Sequence, residues 1–184
     1  MKVLIWGIPC VGKAEVGELL AKKLNYQFFN MNELVKQKHE TIDKFNEKFP
    51  NDYDRFKEKE QIALDIINNN DDFVMTISLL YNKEIVKNIT KTDTISIELI
   101  DSVESIYDRI RFYDENDVLL PDSIEYRDAH RNYYMHTIRV DQTTSYTEYK
   151  DIPKFDIKDR KFEDIIDELA QYIYELYEEG EQLV

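Results

Sequence analysis

Glycine is scarce in this chain. Only four of the 184 residues are glycine, and three of them, Gly7, Gly12 and Gly17, fall within the first 17 positions, with Gly180 far away. Because the rest of the chain avoids glycine, a motif built on the first three is hard to ascribe to chance. There is a single cysteine, Cys10, so no internal disulfide can form. Positive charge is also in short supply: 24 Lys and Arg stand against 38 Asp and Glu, for a net charge of −14. Free nucleic acid needs clustered Lys and Arg on its partner, and this balance excludes it. Like charge at this level favours a soluble monomer or small oligomer. No apolar run approaches the ~20 residues of a membrane span, and the N-terminal apolar stretch is too short for a signal peptide. The expectation is a cytoplasmic protein with no membrane partner. The three histidines, His39, His130 and His136, lack the Cys or acidic company that a zinc site requires, so no metal ligands are assigned.

What the chain does contain is Gly7-Ile8-Pro9-Cys10-Val11-Gly12-Lys13-Ala14, directly after the apolar run Val3-Leu4-Ile5-Trp6. The spacing is that of a phosphate-binding P-loop, a Gly, four residues, Gly-Lys, then Ser or Thr. Here Ala14 takes the last place. The backbone N–H groups of the loop from Gly7 to Glu15, other than Pro9 which has none, and the start of the following helix would cradle the phosphates of a nucleotide. Lys13 would bring its point charge to the terminal phosphates. Cys10 satisfies the need for a small residue in a backbone-lined turn, and Glu15 suits the positive end of a helix dipole. The absent hydroxyl at Ala14 is the one that would ligate Mg²⁺. The loop therefore argues for nucleotide binding and against a firmly held Mg²⁺.

A chain of this length reads as one domain, 1–184, with room for a full core. Apolar stretches predict strands at 2–6, 26–29, 73–77, 94–100 and 154–157. Helical spacing predicts helices at 12–24, 32–48, 52–68, 82–89, 102–112, 123–138 and 161–178. The polar stretch 113–123 reads as a mobile loop, and 141–153, rich in Tyr and Thr, as irregular. Alternation of strand and helix implies a three-layer α/β/α domain with a five-stranded parallel sheet. Its ligand site belongs at the carboxyl ends of the strands.

With the loop and this order in place, the chain resembles the shikimate kinase group of P-loop small-molecule kinases over nearly its whole length. Those kinases read Gly-x-x-x-x-Gly-Lys-Ser-Thr-Val-Gly, then Leu-Ala-x-x-Leu, then a hydrophobic pair leading into Asp-x-Asp. This chain has Gly12-Lys13-Ala14-Glu15-Val16-Gly17, then Leu20-Ala21-x-x-Leu24, then Phe28-Phe29-Asn30-Met31-Asn32. Arg55-Phe-Lys-Glu58 resembles the Phe-Arg-x-x-Glu element that holds the substrate carboxylate. Either Arg109 or Arg111 is the counterpart of the family's arginine that packs on adenine. Arg131 matches the post-lid Arg-x-x-Tyr, and 156–160, with Arg160, resembles the loop that closes over the base. The resemblance implies a lid at about 111–135, ATP bound by the loop with Arg109, Arg111 and Arg160, and an acceptor held by Asn30, Asn32, Arg55 and Arg131. Lys13 and Arg131 would assist the transfer. The stretch 135–150 matches no family element.

Three positions depart from that pattern together. Ala14, Asn30 and Asn32 replace residues that serve the metal or the substrate hydroxyl, and Ser78-Leu79-Leu80 falls where the family has three glycines. An Asn offers a carbonyl oxygen but neither neutralises charge nor acts as a base. Phosphoryl transfer relies on positioning and charge neutralisation, so two readings stay open. One is a kinase passing the γ-phosphate of ATP to a small-molecule hydroxyl, with a nucleoside or nucleotide monophosphate kinase as a variant. The other is a catalytically weak nucleotide-binding protein of the same fold. Asp101, at the end of the fourth strand, is a candidate for the missing metal-ordering acid.

Overall fold

The computed structural model describes residues 1–78, 82–112 and 124–181. Five strands form one parallel sheet: β1 (Lys2–Gly7), β2 (Gln27–Asn30), β3 (Phe73–Ser78), β4 (Ile95–Ile100) and β5 (Lys154–Asp156). Their order across the sheet is β2-β3-β1-β4-β5. β1 is central, with Leu4 opposite Met75 of β3 and Ser96 of β4. A central parallel strand is covered on both faces, and Val3, Leu4, Ile5 and Trp6 are accordingly all buried, side chains up and side chains down. The Trp6 indole N–H is satisfied by the Ser96 hydroxyl at 3.1 Å.

Eight helices are seen among the described residues: α1 (Lys13–Leu24), α2 (Met31–His39), α3 (Ile42–Lys48), α4 (Asp52–Asn69), α5 (Lys83–Thr90), α6 (Val103–Asp108), α7 (Ile124–Glu148) and α8 (Phe162–Glu181). α1 packs on β3 and on α8, whereas α2 packs on α4, and α4 on α5. The three-layer α/β/α architecture with a parallel sheet is the one expected from the sequence.

Two expected elements are corrected. The helix expected over 32–48 is two helices, because Glu40 takes a φ of 68° and Thr41 caps α3 by accepting the Lys44 N–H. The stretch 141–153, expected to be irregular, is helical as far as Glu148. Its threonines explain both the expectation and the outcome. β-Branched residues disfavour helices, yet the hydroxyls of Thr137, Thr143, Thr144 and Thr147 bond back to the carbonyls four residues earlier. Inward, Ser145 and Tyr149 are buried against the sheet. Residues 135–148 are therefore the second half of one 25-residue helix. The loop at 113–123 and Leu79-Leu80 lie outside the described residues.

Candidate nucleotide and acceptor site

A cleft of about 630 Å³ opens at the carboxyl ends of the strands, lined by the loop after β1, the start of α2, the end of β3 and the segment after α6. The loop has the geometry that phosphate binding needs. Gly7 has φ 154°, and a Cβ there would stand 2.8 Å from Val11 Cγ1 and 3.0 Å from the Leu99 carbonyl oxygen. Gly12 has φ 103° and starts α1 with no side-chain cap, so the first-turn N–H groups of α1 have no side-chain acceptor of their own. Ile8 and Val11 are buried and root the loop in the core, while Pro9, Cys10, Gly12, Lys13, Ala14 and Glu15 line the cleft.

Lys13 is the loop's cation. Its ammonium donates to the Ile8 carbonyl at 2.7 Å, across the loop. Burial lowers its pKa from 10.5 to about 8, with the Cys10 thiol and the Glu98 carboxylate pulling the other way. Cys10 is held at φ 63°, a left-handed conformation uncommon outside glycine, so the position is constrained by backbone as well as size. Burial pushes its thiol above the ordinary value, against the pull of Lys13.

Asn30 and Asn32 sit across the cleft from the loop. Asn30 caps α2, its side chain accepting the Asn32 N–H at 2.9 Å, and both residues line the cleft. Capping and cleft lining coexist here. Thr76 and Ser78 at the end of β3 and Met31 complete this half.

At the other end stand Arg109 and Arg111. Arg109 is fixed from two sides: Nη2 pairs with Asp101 Oδ2 at 2.5 Å and Nη1 donates to the Val11 carbonyl at 3.3 Å. Asp101 is buried, and its other oxygen accepts the N–H groups of Ser102 and Asp159, each at 2.9 Å. It is therefore corrected from candidate metal-ordering acid to anchor of Arg109 and of the 156–160 loop. Its carboxylate is fully engaged and does not line the cleft.

Three further arginines do not line the cleft. Arg55 donates to the carbonyls of Phe49 and Pro50 and pairs with Asp52. The Glu58 of the expected motif is bonded to His39 and Lys38. The Phe-cation-x-x-Glu pattern instead falls on Phe56-Lys57-x-x-Glu60, where Lys57 bonds the buried Glu60 at 2.9 Å and Asn88 donates to the same carboxylate. Arg160 bonds the Ile157 carbonyl and Glu168, away from the cleft. Arg131 is exposed and lies over the Tyr107 ring at 5.1 Å.

One cleft residue had no signal as such in the sequence. Phe162, read as the first member of the apolar stripe of the closing helix, packs its ring against Gly12 and lines the cleft. Asp108, Met31 and Thr76 also line the cleft without having been singled out from the sequence. Among the described residues no three His, Cys, Asp or Glu side chains gather as they would around a metal ion, and no helix is long and apolar enough to cross a membrane.

Known proteins share this fold. Similar solved structures include shikimate kinase from Aquifex aeolicus (21% identity, 93% of this chain and 95% of that one, TM-score 0.63). Another is shikimate kinase from Acinetobacter baumannii in complex with shikimate (17% identity, 95% and 93%, TM-score 0.71). A gluconokinase from Sinorhizobium meliloti is similar as well (15% identity, 99% and 96%, TM-score 0.63). At these identities the likeness shows the fold. No curated protein matches in sequence. The shikimate kinase family model matches residues 9–174, from the phosphate loop to the last helix. With a glycine-framed loop after the central strand, a lysine across it and a cleft beside it, this chain belongs to the shikimate kinase family.

Proposed function

We propose that this protein binds ATP at the loop 7–15 and transfers its γ-phosphate to a hydroxyl of a small molecule held near Asn30, Asn32, Thr76 and Ser78. The observation that carries this reading is the loop itself: two glycines at positive φ shape it, and a lysine held across it and an uncapped helix start at Gly12 face one cleft. Phosphates displace the Ile8 carbonyl as the partner of Lys13. Backbone N–H groups meet the phosphate oxygens, and Lys13 and Arg111 offset charge that develops during transfer. The acceptor hydroxyl finds amide and hydroxyl groups that orient it. Three residues once assigned to ligands have other roles in this reading. Arg55 shapes the turn before α4, Arg160 braces the loop before α8, and Arg131 reaches the cleft only by leaving Tyr107.

Mg²⁺ accompanies ATP in this chemistry, and the residues present fit a protein-held Mg²⁺ poorly. Ala14 offers a methyl group, and the Asn30 oxygen is used as a helix cap. Glu15 is the one acid lining the loop side of the cleft. In this reading any metal arrives with the nucleotide and takes no strong protein ligand, so turnover is slow. Should turnover be absent, the loop serves a nucleotide-binding protein whose output is a change of shape, and Ala14, Asn30 and Asn32 favour that second reading. The test is ADP release from Mg-ATP over a panel of neutral polyols, sugar acids and nucleoside monophosphates. An acceptor-dependent rate abolished by Lys13→Ala supports the kinase. Binding of ATP without an acceptor-dependent rate supports the second reading.

A further inference from the structure

Charge is distributed unevenly along the cleft. Among the described residues, Lys13, Arg109 and Arg111 are the lysines and arginines that line it. The segments outside those residues, 79–81, 113–123 and 182–184, contain neither Lys nor Arg. All three cations stand on the loop or just after α6. Arg109 is already paired with Asp101, and Lys13 and Arg111 serve the phosphates in the reading above. Two acids, Glu15 and Asp108, line the same cleft. A nucleoside triphosphate adds several negative charges to this set, so no positive charge is left over for an anionic acceptor.

The acceptor half carries no charge of its own. The register of β2 on β3 sets Asn30 beside Thr76, and Met31, Asn32 and Ser78 complete it. Amide and hydroxyl groups both donate and accept, as the hydroxyls of a polyol do. A carboxylate only accepts, and it is met best by a guanidinium or an ammonium. The cations of neighbouring elements are engaged elsewhere. Arg55 holds the carbonyls of Phe49 and Pro50 and pairs with Asp52. Lys57 pairs with the buried Glu60, and Arg131 lies over Tyr107. A carboxylate placed in this half leaves water without gaining a charge partner, which is costly.

We infer that the acceptor is an uncharged polyhydroxy compound, a polyol or neutral sugar, and that the cleft discriminates against hydroxy acids and phosphorylated acceptors of the same shape. This rests on the kinase reading and deepens it at the acceptor half. Asn30, Asn32, Thr76 and Ser78 orient the hydroxyls, and Met31 gives the carbon chain an apolar surface. One hydroxyl oxygen attacks the γ-phosphorus of ATP. The new O–P bond forms as the bond to the β-phosphate oxygen breaks, ADP leaves, and the hydroxyl proton passes to solvent.

The test is acceptor-dependent ADP release from Mg-ATP by the full chain, with pairs that differ only in a hydroxymethyl group against a carboxylate. The pairs are glycerol and glycerate, xylitol and xylonate, glucitol and gluconate, and glucose and glucuronate, each with wild type, Asn32→Arg and Arg131→Gln. In wild type the neutral member of a pair that is turned over is expected to exceed its acid partner in kcat/KM by about tenfold or more. Asn32 is exposed in the first turn of α2, and an arginine there is expected to raise the acid's kcat/KM by about tenfold relative to its partner. Arg131→Gln is expected to leave the ratio within each pair unchanged. An acid turned over as well as its neutral partner in wild type overturns this inference alone, since the kinase reading then stands. Selective loss of the acid in Arg131→Gln also overturns it, because Arg131 would then leave Tyr107 to hold a carboxylate. A ratio unmoved in Asn32→Arg takes the acceptor away from Asn32 and overturns it likewise. If wild type binds ATP and no member of any pair gives a rate, the kinase reading falls, and the inference with it.

Discussion

At the scale of single residues the account turns on Lys13. A buried ammonium on a backbone carbonyl is poised for an anion, and its charge is lost more easily than that of an exposed lysine. With a pKa of about 8 in the free protein, Lys13 is mostly charged at pH 7 and mostly neutral at pH 9. A bound phosphate favours the charged form, so ATP affinity should fall as pH rises through 8, by about tenfold between pH 7 and pH 9. Titrations across that range on wild type and Lys13→Ala check this. The variant should be weak and flat, and a wild-type profile equally flat would remove Lys13 from the phosphates. The folding linkage has its own sign. Between pH 8 and the unfolded value near 10.5 the unfolded chain binds the extra proton, so this lysine's contribution to stability improves as pH rises. The loop lysine was legible from its spacing alone. The Cys10 backbone was not: its φ of 63° follows from the turn between β1 and α1, and only its small size could be read in advance.

At the scale of elements, the end of β4, α6 and the first residues after it, with α7 packed on them, hold the Arg109 end of the cleft. Asp101 ends β4 and binds Arg109, the loop at 159 and the start of α6, and the amide of Gln142 on α7 donates to the Asp101 carbonyl at 2.7 Å. Arg127 near the start of α7 donates to the carbonyls of Tyr107, Asp108 and Ile110, and the Tyr107 hydroxyl returns a bond to the Arg127 carbonyl. The long helix thus clamps α6 from one end to the other. Asp101→Ala removes the carboxylate and leaves Arg109 and two N–H groups without it. Loss of one partner of a buried pair costs about 3 kcal/mol or more, so the urea midpoint should drop clearly. A change below about 1 kcal/mol would mean that Arg109 is not anchored there. Elements with a plain apolar pattern, such as β1 and α8, were readable from sequence. The second half of α7 was not, because its threonines look like a strand or loop until their hydroxyls find the preceding turn. That Arg55 stands outside the cleft was not legible for a related reason: one helical frame carries two cations two residues apart, and only packing tells that Glu60 is the buried acid.

For the whole molecule, the sheet order is what brings distant residues to one cleft. β1 sits between β3 and β4, so the loop after β1 meets Thr76 and Ser78 from one side and the Arg109 segment from the other. Strand alternation made the parallel sheet legible, and the position of the site at its carboxyl end followed from it. Phe162 was legible only as core, since nothing in a helical stripe says that its first residue lies over a loop 150 residues earlier. A net charge of −14 makes the chain as a whole repel nucleotides, and binding therefore depends on the local cations of the cleft, Lys13 foremost. The measurement that bears most directly on the central claim is calorimetric titration of wild type with ATP, with and without Mg²⁺, beside Lys13→Ala. The account predicts saturable binding that is lost in the variant and changes little when Mg²⁺ is withheld, because Ala14 gives the metal no hydroxyl. Binding that persists in Lys13→Ala, or no binding at all, would contradict it.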